Sequence, residues 1–253
     1  MYPCSSYIMY STQRSGSTLL CEALRNTDVA GRPAEFFVKS SVPLFAEYWG
    51  VSLYNGLDDL GEAYFQGAYT TATPNGVFGA KVLWSEFAYL LQQLNKIRGN
   101  EMLKPPQLLS KAFPNCQAIM TTRRDKVRQA ISWWKAFETN HWHDGDRDPR
   151  KARRQPVFRF EAIECHRQNL VDHEQQMLNF LSFYDIQPFI VVYEDFVASY
   201  EETVSQILDY LHIPAPTDLG FSKRSMQKLS NEQTEEWVQR YYQMKYEQDK
   251  LLV

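Results

Sequence analysis

The sequence predicts an α/β fold with a central parallel sheet flanked by helices. Short, nearly continuous apolar runs recur along the chain, as in strands buried on both faces. Segments with apolar residues at helical spacing alternate with them. A polar turn containing glycine joins the first run to its helix, which is half of a βα unit.

Tyr7 to Ser11 is the first strand, and it ends in Thr12-Gln13-Arg14-Ser15-Gly16-Ser17-Thr18. Leu19, Leu20, Ala23 and Leu24 then mark a helix. Val77 to Leu83, after the turn signal Thr73-Pro74-Asn75-Gly76, is the second strand and leads to a helix around Phe87 to Ile97. The third strand, Gln117 to Thr122, precedes Arg123-Arg124-Asp125. The helix after it runs from about Lys126 to Phe137, with Val127, Ala130, Ile131 and Trp134 as its apolar stripe. Phe189 to Tyr193 is the fourth strand, before Glu194-Asp195 and a helix around Glu201 to Leu211. Polar residues from His141 to Pro156 read as a mobile surface loop, because helical patterning resumes at once from Phe158 to Tyr184. Residues 1–253 are therefore expected to form one domain.

A net charge of -3 gives no broad basic field, so binding along duplex nucleic acid is not expected, whereas a small anion needs only a few local cations. Cys4, Cys21, Cys116 and Cys165 are far apart and lack paired spacing, and read as buried free thiols in a reducing compartment. Met1 to Tyr7 has no basic region followed by a long apolar stretch, and no run approaches a membrane span, so the expected location is cytoplasmic with no transmembrane segment.

The turn after the first strand carries the chemistry. Glycine and small hydroxyl residues at a helix start can offer backbone N–H groups to an anion, with the helix dipole adding attraction. Gly16 allows close approach, Ser17 and Thr18 add hydroxyls, and Arg14 brings a planar cation suited to phosphate or sulfate. A helix capped by Ser15 or Ser17 is the plainer alternative. The GxxxxGK[ST] loop of nucleotide triphosphatases does not fit, since its lysine and one glycine are missing. A second candidate anion site follows the third strand, with Arg123 at its end and Ser132 about two turns into the helix. Both loops open at the carboxyl ends of parallel strands, as a nucleotide with separated phosphates requires. A solvated Arg123, alone or paired with Asp125, and an exposed Ser132 are the alternatives.

Several segments together resemble the trehalose sulfotransferase family of PAPS-dependent carbohydrate sulfotransferases. They are Tyr7 to Glu22 with TQRSGSTLL, Gly31 to Phe37 (GRPAEFF), Pro74 to Lys81 (PNGVFGAK), Arg123 to Trp134, and Glu235 to Tyr241 (EEWVQRY). Order and extent match over nearly the whole chain. The resemblance implies a sulfotransferase variant of the phosphate-loop (P-loop) α/β fold. Its donor would be 3'-phosphoadenosine 5'-phosphosulfate (PAPS), its product adenosine 3',5'-bisphosphate (PAP), with no metal. By the same carry-over, Arg14, Ser15, Gly16, Ser17 and Thr18 hold the 5'-phosphosulfate, and Arg123 with Ser132 binds the 3'-phosphate. Lys228, in the stretch Gln227 to Asn231, falls where such enzymes close over the nucleotide and keeps only the charge of the family's arginine.

Sulfuryl transfer needs a base for the acceptor hydroxyl and cations for the leaving oxygen. The resemblance makes Glu35 the catalytic base, and Arg14 is the candidate for the leaving 5'-phosphate. Lys81, placed near a strand end, assists or touches the acceptor, or is simply solvated. His141, His143 and Asp144 resemble a metal cluster only superficially. The basic run Arg150 to Arg154 either attracts an anionic acceptor or is a solvated face. The acceptor is expected to be a carbohydrate or glycolipid, and the family also suggests a homodimer. An ATP-dependent phosphotransferase of related fold and a non-catalytic nucleotide-binding protein are the competing functions.

Overall fold

A computed structural model describes residues 3–142, 155–217, 219, 221 and 232–251. The chain opens with β1 (Ser5–Ser11) and α1 (Ser17–Asn26), continues through α2 (Val42–Trp49) and α3 (Gly61–Ala72), and reaches β2 (Val77–Leu83). Next come α4 (Trp84–Asn95), α5 (Pro105–Ala112), β3 (Cys116–Thr122) and α6 (Lys126–Thr139). The long α7 (Phe160–Phe183) precedes β4 (Phe189–Val192), α8 (Tyr193–Ala198), α9 (Tyr200–Tyr210) and α10 (Glu232–Leu251).

All pairings are parallel and the sheet order is β2-β1-β3-β4, which makes β1 a central strand bonded on both edges. Its side chains alternate between the two faces, as the pleat requires. Tyr7 and Met9 enter a core with α1, α8 and α9, while Ile8 and Tyr10 enter one built from α2, α3, α4, α5 and the end of α7. A third cluster joins α6, the start of α7 and α10 around Trp134, Trp237 and Tyr241. No described helix is long and apolar enough to cross a membrane.

The sequence placed the four strands within two residues of their observed starts and ends. Tyr193, read as the end of the fourth strand, instead opens α8, and α4 begins at Trp84 directly after β2 with no intervening loop. The helices α2, α3 and α5 were not anticipated. The first two pack by aromatic fit rather than by a simple stripe: a Cβ added at Gly67 of α3 would lie 2.7 Å from the Trp49 ring. All four cysteines are free, but Cys4 and Cys165 are exposed, which corrects the expectation of buried thiols. Burial pushes the Cys21 thiol up to about 11 and that of Cys116 up to about 12, so both are inert at neutral pH.

The third cluster contains a charged anchor. Glu164 Oε2 accepts from Arg167 Nε at 2.7 Å and from the Tyr241 hydroxyl, and Glu164 Oε1 lies 3.7 Å from Lys245 Nζ. Chiefly the Arg167 hydrogen bond holds this carboxyl down at about 2, against an ordinary value of about 4.5. A carboxyl depressed on folding stabilises the fold above its unfolded value, and that contribution disappears as pH falls through the folded one. Thermal unfolding followed between pH 4.5 and 2 is therefore expected to fall more steeply in the wild type than in Glu164→Gln.

Candidate active site

From β1 the chain crosses to β2 on one side, and from β3 it goes to β4 on the other, so the loops leaving β1 and β3 diverge. A crevice opens between them at the carboxyl ends of the strands, the usual ligand position in such sheets. Gly16 stands at the N-cap of α1 with φ 86°, and no side chain caps the helix. Leu20 N–H makes the first helical bond, to Gly16 O at 3.1 Å, which leaves the amides of Ser17, Thr18 and Leu19 without a helical acceptor. The Ser15 or Ser17 cap weighed from sequence is absent.

Side chains beneath the turn hold it still. Ser15 Oγ lies 2.9 Å from Thr12 O and 2.7 Å from Thr121 Oγ1, which is itself 2.9 Å from Ser11 Oγ, so the hydroxyls form one hydrogen-bonding cluster. The buried Gln129 donates to Thr12 Oγ1 at 3.0 Å and to Gln13 O at 2.7 Å. The Ser15 hydroxyl is thus committed to β3, which leaves its backbone for a ligand. Arg14 itself adopts φ 60°, in the left-handed region that non-glycine residues seldom visit.

On the β2 side, Lys81 is buried within the strand rather than solvated at its end. Its Nζ lies 2.6 Å from Glu35 Oε1 and donates to Thr18 Oγ1 at 2.7 Å. Glu35 is brought there by the backbone: Lys81 N–H donates to Ala34 O at 3.0 Å, and Ala34 forms an isolated parallel bridge with Ala80. An ammonium has three hydrogens, so one remains for a ligand. Phe36 and Phe37 next to Glu35 are buried in the aromatic core, while Glu35 keeps partial access to the crevice.

On the β3 side, Arg123 is 9% exposed and its guanidinium lies over the Tyr193 ring, 4.7 Å from the centroid. Burial works against its charge and is the main influence on it, which lowers its pKa. Its Nε has no hydrogen-bond partner among the described residues, with Glu194 Oε1 3.5 Å away. Asp125, considered as its partner, instead caps α6 and bonds Arg128 Nε at 2.9 Å. Arg14 Nε donates to Ser132 Oγ at 3.0 Å, and Arg14 Nη1 donates to Trp142 O at 2.6 Å. A residue of the glycine turn is thus hydrogen-bonded to a residue of the helix after β3.

Lys228, His143, Asp144 and the run Arg150 to Arg154 lie outside the described residues. No three His, Cys, Asp or Glu side chains meet as a metal site among the described residues. Sequence reasoning missed Tyr193, Gln129 and Thr121. Gln129 was detectable as a polar residue between Val127 and Ala130 on a buried stripe; Tyr193 was not, since its role depends on where α8 turns.

The chain matches the model of the Stf0 sulphotransferase family over residues 6–244 and belongs to that family. Two relatives, each described as trehalose 2-sulfotransferase, are 30% identical. The one from Mycobacterium tuberculosis aligns over 93% of this chain and 93% of its own length. For the one from Mycolicibacterium smegmatis both shares are 94%. A solved sulfotransferase domain from the curacin biosynthetic pathway superposes with a TM-score of 0.52 at 17% identity, covering 92% of this chain and 83% of that one, and shares the fold.

A Cβ at Gly16 would run into the Tyr193 ring and sit at positive φ. Gly16→Ala is therefore expected to lower stability by about 1–3 kcal/mol in urea titrations. Combining it with Tyr193→Ala should recover only the steric share of that loss.

Proposed function

We propose that this chain transfers a sulfuryl group from PAPS to a hydroxyl of a carbohydrate or glycolipid acceptor and releases PAP. The observation that carries the reading is the contact of one buried ammonium, Lys81, with both the anion-binding helix start at Thr18 and the carboxylate of Glu35. Donor and acceptor chemistry meet at that point. Family membership and the names of the two 30% identical relatives support the transfer and the acceptor class.

The residues present fit such a donor. An uncapped helix start behind a glycine suits its 5' side, and a buried arginine with an orphaned Nε suits a second phosphate. The bound donor supplies an activated sulfuryl group and, in its 5'-phosphate, the leaving group. The amides of Ser17 and Thr18 orient that end, and the guanidinium of Arg14, one hydrogen bond from Ser132, stabilises charge on the leaving oxygen. Lys81 directs its remaining N–H at the transferring group while fixing the Glu35 carboxylate. Glu35 takes the proton from the acceptor hydroxyl. Arg123 and Ser132 hold the 3'-phosphate, the feature that separates this donor from ATP. Lys228 is assigned to closing over the nucleotide.

Glu35→Gln is expected to cut sulfation with labelled donor by about 10²-fold or more. The same variant should keep the rise in melting temperature caused by PAP, which in the wild type should exceed that caused by ATP. A larger rise with ATP favours the phosphotransferase reading, and undiminished sulfation by Glu35→Gln removes its role as base.

A further inference from the structure

The crevice has a wall that the proposed chemistry leaves unused. Because β2 passes into α4 without a loop, Trp84 and Ser85 stand at the carboxyl end of the strand that carries Lys81. The Trp84 ring lies on Phe87, with centroids 4.8 Å apart and planes 20° from parallel. Its Nε1–H donates to Gln176 Oε1 at 3.1 Å. The ring also meets Phe180, with centroids 5.7 Å apart, and is only partly buried, so an indole held by two rings and pinned through its N–H is a fixed platform. Gln13, the neighbour of Arg14, donates through Nε2 to Ser85 Oγ at 2.9 Å and ties this platform to the glycine turn. Two residues from Gln176 along α7, Glu174 accepts from Thr122 Oγ1 at the end of β3 at 2.7 Å, so α7 spans the rim from β2 to β3.

We infer that Trp84, flanked by Gln13, Ser85 and Gln176, is the subsite that recognises the acceptor as a neutral sugar ring. This rests on the reading of the chain as a carbohydrate sulfotransferase. A pyranose has an apolar C–H face and an equatorial rim of hydroxyls, and the subsite offers an aromatic plane bordered by two amides and a hydroxyl. These bordering groups are uncharged, and the nearby Glu174 is paired with Lys126 at 2.5 Å, so the three groups at the rim of the ring suit hydroxyls rather than an ion. The hydrogen bonds of Gln13 and Gln176 lie on exposed surface, where sugar hydroxyls can exchange with them. Ring recognition at Trp84 presents one hydroxyl towards Glu35, which makes Trp84 a specificity-determining residue rather than part of the transfer chemistry.

Wild type, Trp84→Ala, Trp84→Phe and Gln176→Ala are to be compared with labelled donor and trehalose, maltose or glucose as acceptor. Stabilisation by PAP is measured in parallel. Loss of the platform in Trp84→Ala should raise the sugar KM about tenfold. Trp84→Phe should restore most of the difference, Gln176→Ala should raise KM less, and PAP should stabilise every variant as it does the wild type. An unchanged sugar KM in Trp84→Ala overturns the subsite. If that variant does not fold, an unchanged sugar KM in Gln176→Ala overturns it equally. Failure of the wild type to label these sugars or their glycolipids removes the carbohydrate reading on which the subsite rests, and failure of PAP to stabilise the wild type removes the donor reading. Either result is distinct from a subsite that is wrong.

Discussion

The arrangement of this molecule turns on one buried ammonium. Removing a lysine charge from water is costly unless it is paired and hydrogen-bonded. Lys81 meets that requirement with Glu35 at 2.6 Å and Thr18 at 2.7 Å. Those partners come from different parts of the chain, the segment alongside β2 and the first turn of α1. Satisfying one side chain therefore fixes the carboxylate relative to the uncapped amides at the start of α1. The position of Lys81 follows from register: Met9 of β1 faces it across the sheet, and Ala34 bonds its backbone on the other edge.

The opposite wall of the crevice is held by neutral hydrogen bonds. Ser11, Thr121 and Ser15 form a hydroxyl chain from β1 through β3 into the turn, and Gln129 reaches the same turn from α6. A rigid turn keeps its amides oriented before any anion arrives, so binding energy is not spent on ordering the loop. Tyr193 completes the wall by lying against Gly16 and under the Arg123 guanidinium. Glu194 then accepts from the Arg124 amide at 3.0 Å, and so seats the end of β3 against the start of α8.

Strand positions were legible because a parallel sheet covered on both faces demands short apolar runs, and the same runs put Arg14 to Thr18 and Arg123 just past the carboxyl ends of β1 and β3, where they stand. Lys81 was visible but its burial was not. A sequence locates the strand, whereas the lysine's environment depends on Glu35 arriving from a segment that shares only an isolated bridge with β2. Ser15 was expected as part of the loop that holds the 5'-phosphosulfate, and its hydroxyl ties that loop to Thr121, a contact between residues 106 positions apart that no local pattern encodes. Tyr193 was read as strand by propensity, and the turn into α8 gives it a different neighbour. The resemblance to known sulfotransferases added roles for Glu35 and Ser132 that neither residue announces by its own spacing.

If Lys81 makes the helix start and Glu35 act as a unit, its contact with Thr18 must be felt in the transfer rate. A double-mutant cycle on that rate, using Thr18→Val, Lys81→Met and the pair, measures the coupling, because residues that act through a shared contact are not additive. The pair is expected to lose little more activity than Lys81→Met alone. Losses that multiply, as for independent sites, contradict it.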